Sequence, residues 1–451
     1  MSDTTSTTSI KPKLAFFDLT MIVVSLVIGV GIFRTPAIVA TKAGTPLIFF
    51  AVWILGGIIS ICGALTFAEI GSRLPVAGGF YKIFSHCYHP AYAFMLNWSL
   101  VITNAASAVG VAIVGAEYIN PVLMPESLQN DMGIKITAMA VTLILFSLNY
   151  LGIKMGARTQ NVLSMIKILM MIAFCFAAFN VHPVSHLSSA PEASGGMMDG
   201  ILKALGVSLI SVFFTYGGYQ NTINFGADIE KPERNIPRSI FAGIGIVVIL
   251  YLTINVAYVS ALGFEGVKGS KLVAAELVKT FFGEKGFAIT AVAIFISVLG
   301  FINTSMMHNP RMYYAMADDK ILPEIFRRVN SKTMAQEFAL SFFVGLMLLS
   351  LFMLGTFENI LNYVMFIDSL SLVSAAGTIF IFRQRAKLQG TSEEHIYKMK
   401  WYPLVPLLFM FVLLMVTVNV VWSDPRSALY GFLIFLAGYP LYKWMKKMVV
   451  S

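Results

Sequence analysis

Two pairs of glycines hold the chemistry of this chain. Residues 26–36 read Leu-Val-Ile-Gly-Val-Gly-Ile-Phe-Arg-Thr-Pro, inside an apolar stretch from about Ala15 to Ala40. Such a stretch is long enough to cross a bilayer. Gly29 and Gly31 weaken a helix there, and Pro36 lacks the amide that an unbroken helix needs. In hydrocarbon a break is tolerated only where backbone groups meet protein, water or a ligand. Amides exposed beyond it can hold a carboxylate. Glycines in membrane helices also serve close packing, so one interrupted span leaves both readings open. The sixth apolar span carries a second interruption, Phe213-Phe-Thr-Tyr-Gly-Gly-Tyr-Gln-Asn-Thr. Paired breaks at corresponding positions of two halves point to a midplane binding site. Gly29, Val30, Gly31 and Ile32, with Tyr216, Gly217 and Gly218, are therefore predicted to face one central cavity. The glycine pairs and their immediate neighbours are predicted to be non-helical.

The charged residues within apolar spans include Arg34, Lys167 and Asp368. A charge that deep is costly unless paired or neutralised. Arg34 is about eight residues from the outer end of the first span, roughly 12 Å at the helical rise. Asp368 lies at a comparable depth in the tenth, so the two are expected to meet. Competing with that, Arg34 can reach the outer headgroups, and Asp368 can bind a cationic substrate or carry a proton. Gln220, Asn221 and Asn303 can line the cavity or merely link helices, Asn303 least of all the first.

The frame that positions these residues is a membrane bundle. The chain is 57% hydrophobic and 12% charged, with mean hydropathy +0.77 over 451 residues. Soluble domains carry about twice that charged fraction. The predicted class is an all-α polytopic membrane protein of twelve helices. The expected spans are 15–41, 46–70, 91–119, 134–153, 157–180, 201–227, 237–263, 286–316, 336–355, 359–382, 402–422 and 427–445. Residues 1–14 read as a polar tail, 15–180 and 201–383 as two inverted five-helix repeats, and 402–446 as two added helices. In a soluble protein the net charge of +9 would suggest nucleic acid. Here the placement of Lys and Arg matters more, and their excess in alternate connections puts both termini in the cytoplasm. The first such connection, around Ala68-Glu-Ile-Gly and Gly78-Gly79, reads as a turning loop. Residues 181–199 read as the longest outer loop and 269–282 as a short amphipathic surface helix.

Enzymatic chemistry has no foothold. His86, His89, His182, His186, His308 and His395 lie near span ends or in loops without ligand spacing. Cys62, Cys87 and Cys175 suggest neither a disulfide framework nor a metal site. No catalytic triad or phosphate loop is present. The chain is expected to use no cofactor and no metal, and to meet membrane lipid and a small substrate rather than nucleic acid.

Gly29-Val-Gly-Ile-Phe33, Ala68-Glu-Ile-Gly71 with Gly78-Gly79-x-Tyr81, Tyr216-Gly-Gly, and Asp228-Ile-Glu-Lys-Pro-Glu-Arg-Asn-Ile-Pro-Arg238 together resemble the amino acid–polyamine–organocation superfamily. Within it the chain looks most like bacterial relatives of the L-type amino acid transporters. The resemblance implies two inverted repeats and a substrate whose α-amino and α-carboxyl groups meet the unwound backbone of spans one and six. It implies that Phe214 closes over substrate. It also implies that Lys167, beside Ser297 of span eight, stands in for the sodium of related symporters. Similarity to the neurotransmitter–sodium symporters implies an outer gate of Arg34 and Asp368. Two departures are visible. Val30 replaces a frequent Ser, and the outer loop 120–133 lacks the cysteine by which animal L-type transporters attach a glycoprotein, so no disulfide-linked heavy subunit is expected.

The function so implied is a permease of the cell membrane. It would carry neutral amino acids by sodium-independent exchange or proton-linked uptake. A polyamine or cationic amino acid carrier is the alternative, since Asp368 is the one carboxylate deep in a late span. A non-transporting sensor of the same fold is disfavoured by the lack of a sizeable soluble domain.

Overall fold

A computed structural model describes residues 15–76, 79–152, a few residues between 159 and 170, and residues 197–224, 229–333, 335–354, 357–390 and 396–450. Every regular element among them is helical. In chain order these are α1 (Phe16–Val27), α2 (Gly31–Ala43), α3 (Pro46–Arg73), α4 (Gly79–Cys87), α5 (Pro90–Leu123), α6 (Asp131–Tyr150) and α7 (Met197–Tyr216). There follow α8 (Pro232–Gly269), α9 (Val273–Asp318), α10 (Glu337–Leu354), α11 (Phe357–Gln389), α12 (Leu404–Ser423) and α13 (Pro425–Val450). Seven of these helices are long and apolar enough to cross a membrane: α3, α5, α6, α8, α9, α11 and α12. The chain is an all-α polytopic membrane protein. α1 and α2, at 12 and 13 residues, are each too short to cross alone, because the first break divides them.

Helix starts follow local chemistry. Pro46, Pro90, Pro232 and Pro425 each open a helix, where a missing amide costs nothing. Thr45 and Asn130 cap α3 and α6 by accepting from the amides of Ile48 and Gly133. The central helix is α5, buried along most of its length against α6, α9, α10, α11 and α13. α1 and α3 pack on α8, and α2 packs on α7. Leu407, Phe411, Leu414, Val418 and Trp422 recur every three or four residues on the exposed face of α12. That stripe is the surface a bilayer covers.

Three sequence expectations need correction. The connection around Gly78-Gly79 is more than a loop, since Phe80, Ile83, Phe84 and Cys87 form the inward face of α4. The sixth span does not continue as an α-helix after its break; Tyr219–Asn224 is a 3-10 turn. Nor does Pro36 help to make the first break, because α2 runs straight through it. Residues 273–282 are helical as expected, and Gly283, with φ 61°, turns them away from the rest of α9. Lys167, Cys175, most of the fifth span and residues 181–196 lie outside the described residues.

At the end of the bundle that bears α4, two ionic knots tie the helices. Glu69 is fully buried and accepts from Arg73 Nε at 3.0 Å, Arg383 Nε at 2.8 Å, Arg383 Nη2 at 2.7 Å and the Met399 amide at 2.8 Å. It thereby joins α3, α11 and the segment before α12. Asp319, just after α9, accepts from the Tyr81 hydroxyl at 2.7 Å and from Lys82 at 2.6 Å. Burial, and then the bond to Asp319 and its charge, push the Tyr81 phenol above its ordinary range. Tyr81 therefore stays a donor at any physiological pH.

Candidate functional site

The first break is Ile28 to Val30. The Gly29 amide turns back to the Val27 carbonyl at 2.7 Å, and the Tyr251 hydroxyl donates to that same carbonyl at 3.0 Å. The freed Val27 carbonyl thus finds partners. The Gly31 and Ile32 amides that open α2 are different, for a helix's first N–H groups have no partner within it; the Phe33 amide already turns back to the Val30 carbonyl at 3.0 Å. The residue in the capping position is Val30, whose side chain cannot accept, and no side chain caps α2. Sequence reasoning placed Gly31 within the break; it is instead the first residue of α2.

The second break is Gly217 and Gly218, since Tyr216 still ends α7. Gly218 has φ +121°, and a Cβ on it would overlap the Leu26 carbonyl oxygen. Only glycine allows this conformation and this contact. The second break therefore touches the last turn of α1, just before the first break, backbone to backbone. Gln220 reaches back to accept from the Gly218 amide at 2.9 Å. Behind them Tyr216 donates to the Trp53 carbonyl at 3.3 Å, with Trp53 and Tyr251 rings 5.8 and 5.2 Å away. That buried cluster fixes the angle at which α7 arrives.

A cavity of about 450 Å³ opens beside the breaks. Gly29, Val30, Gly31, Phe214, Tyr216, Gly217 and Gly218 all line it, as do Gln220, Asn221 and Asp368. A volume of this size suits a small-molecule ligand. Gly29 has nothing near its missing Cβ except a carbonyl oxygen at 3.9 Å, so space rather than packing surrounds it. Ile32 departs from expectation: its side chain is fully buried in the core and absent from the cavity wall, so its amide is all it can offer. Asn303 accepts from Asn149 at 2.7 Å and links α6 to α9. Ser297 is buried on α9, one turn from Gly300, against which Leu163 packs.

The cavity has a direction. Its wall runs along α1 back to Met21 and along α9 from Gly300 to the exposed Arg311, toward the end that bears α4. On the α2 side, among the described residues, it stops at Gly31. Beyond lies a plug. Tyr118 donates to the Phe33 carbonyl at 2.6 Å, and Arg34 donates to the Lys271 carbonyl at 3.2 Å. Arg34 Nε sits 3.5 Å from Glu117 Oε2.

The expected Arg34–Asp368 pair is thus not formed. Arg34 is turned to α5, where Glu117 lies near the same level, while Asp368 faces the cavity. Depth alone could not separate two acids on different helices. Sequence reasoning also missed Asn104 and Ser107 of α5 and Thr304, His308 and Arg311 of α9 in the wall. The signal was there: Gly300, Thr304, His308 and Arg311 recur at three and four residues, a small and polar stripe on one face of an apolar helix. His308 belongs to the wall rather than to a span end.

A family model described as amino acid permease matches residues 14–441. The chain belongs to that family. The permease is 28% identical to the serine/threonine exchanger SteT of Bacillus subtilis, over 99% of this chain and all of that one. It is 27% identical to the human large neutral amino acids transporter small subunit 2, over 96% of this permease and 80% of the relative. With the human cystine/glutamate transporter it shares 26% identity, over 97% and 87% of the two chains. Family and relatives are transporters, not enzymes. No three side chains of metal-binding type gather among the described residues of the permease.

Proposed function

We propose that this amino acid permease works by alternating access in the cell membrane, as a sodium-independent exchanger or a proton-linked carrier. One observation carries this reading: the uncapped first turn of α2 opens on the cavity, beside the second break. Uncapped amides at a helix start attract an anion. The relatives' names cover serine, threonine, large neutral amino acids, cystine and glutamate. Those molecules share an α-carboxylate and an α-ammonium group and little else. Gly29, Val30, Gly31 and the Ile32 amide would hold the carboxylate. Carbonyls around Tyr216, Gly217 and Gly218 would accept from the ammonium, and Phe214 would close over both.

The excess of Lys and Arg in alternate connections supports a cytoplasmic position for both termini and for α4. The open side of the cavity then faces the cytoplasm, and the plug at Arg34 closes the outside. Twelve spans in two inverted repeats, with α12 and α13 added, fit this arrangement. Lys167 would bridge toward Ser297 in place of a sodium ion; the packing of Leu163 on Gly300 supports neighbouring positions for the two helices. No disulfide-linked subunit is needed.

Phe213, Phe214, Met365 and Leu372 in the wall suit neutral side chains. Asp368 in the same wall favours a second reading, a cationic one. Purified permease in proteoliposomes, preloaded with unlabelled amino acids and offered labelled ones, tests the function. Accumulation that is stimulated by internal substrate and unchanged when potassium replaces sodium is expected. Absence of movement for every amino acid class would overturn the reading, and a strict sodium requirement would overturn the role of Lys167.

A further inference from the structure

We propose that Asp368 selects the substrate by its side chain, and that the preferred substrate is an amino acid whose side chain carries a positive charge. The inference rests on the permease reading above and names the substrate class of the same site. It starts from a contrast among the acids of the bundle. Glu69 is met by Arg73 and Arg383, and Glu117 lies beside Arg34. Asp368 has no ion partner among the described residues, yet it stands in the middle of α11 and faces the cavity. A carboxylate held inside a membrane bundle without a counter-charge is costly. Glu69 and Glu117 avoid that cost with the protein's own arginines. For Asp368, the cavity is where a counter-charge can enter.

The surroundings fit a cationic side chain better than a small polar one. Met365 and Leu372, one turn to either side of Asp368, line the cavity with Phe213 and Phe214. An aliphatic stem can lie along such a wall while its charged tip reaches the carboxylate, as lysine and arginine stems do on protein surfaces. A cavity of about 450 Å³ leaves room for that stem once the α-carboxylate is at the breaks. The wall's own guanidinium, Arg311, is exposed on α9 and makes no ion pair with Asp368. An acidic side chain would meet Asp368 as a like charge. A neutral one would leave the carboxylate with no charged partner.

The test is competition against labelled lysine in proteoliposomes at one fixed pH. Unlabelled lysine, ornithine, arginine, leucine, serine and glutamate serve as competitors, for the wild type, Asp368→Asn and Asp368→Glu. In the wild type the three cationic amino acids should compete at least about tenfold better than leucine or serine, since a charge-assisted bond discriminates by that factor or more. The lysine-to-leucine ratio of inhibition constants should fall at least about tenfold in Asp368→Asn and stay on the cationic side in Asp368→Glu. A ratio does not depend on how much protein folds. Should Asp368→Asn carry nothing, the wild-type panel decides alone. Wild-type preference for leucine, serine or glutamate would overturn the proposal, as would an Asp368→Asn ratio equal to that of the wild type. Those failures leave the permease reading standing, whereas failure to move any amino acid would remove both.

Discussion

At the scale of single residues, the glycines of the two breaks do different work. Gly218 sits at φ +121° against the Leu26 carbonyl, so Gly218→Ala forces strain and a clash at once. That variant should lose folded yield, seen as an early-melting or aggregated peak in size-exclusion chromatography. Gly29 has open space around it, so Gly29→Ala should fold with unchanged melting. Its methyl group enters the cavity, and substrate affinity should drop by about tenfold or more in uptake assays. Equal behaviour of the two variants would contradict this division. The charged pair is equally specific. Exchange of charges between Arg34 and Glu117 should restore part of the transport that either single change removes. The same exchange between Arg34 and Asp368 should restore none, because Arg34 faces Glu117.

Elements explain what the sequence could and could not disclose. Both breaks were legible because glycine pairs inside apolar spans have few physical uses, and their positions came out within a residue or two. The exact ends did not, since Gly31 and Tyr216 are helical. α4 was hidden by the Gly and Pro residues before it, which draw attention to the turn rather than to the apolar face of Phe80, Ile83, Phe84 and Cys87. The polar stripe of α9 was readable at helical spacing, but a histidine near a span end invites no such reading. Partner choice for Arg34 was not readable, because depth along a helix says nothing of the direction a side chain faces. Glu69 read only as part of a turning loop, with no hint that two arginines and the Met399 amide converge on it. Glu69→Ala leaves those guanidinium groups without their buried acid, and should cost about 3–5 kcal/mol. A large fall in melting temperature in detergent is expected, with Glu69→Gln between the two. Unchanged melting would mean that the knot does not hold α3 to α11.

The whole molecule is asymmetric along its bundle axis: open beside the breaks toward α4, sealed by Arg34, Glu117 and Tyr118 at the other end. Alternating access requires the complementary state, in which the seal parts and the α4 end closes. The two breaks beside the cavity are the core of the proposed mechanism. The most direct measurement is a cryo-electron microscopy structure with a transported amino acid bound. The α-carboxylate should lie within hydrogen-bonding distance of the amides that open α2, and the α-ammonium beside the carbonyls around Gly217. An amino acid seated elsewhere, with continuous helix through residues 28–30 or 217–218, would contradict the two-break site.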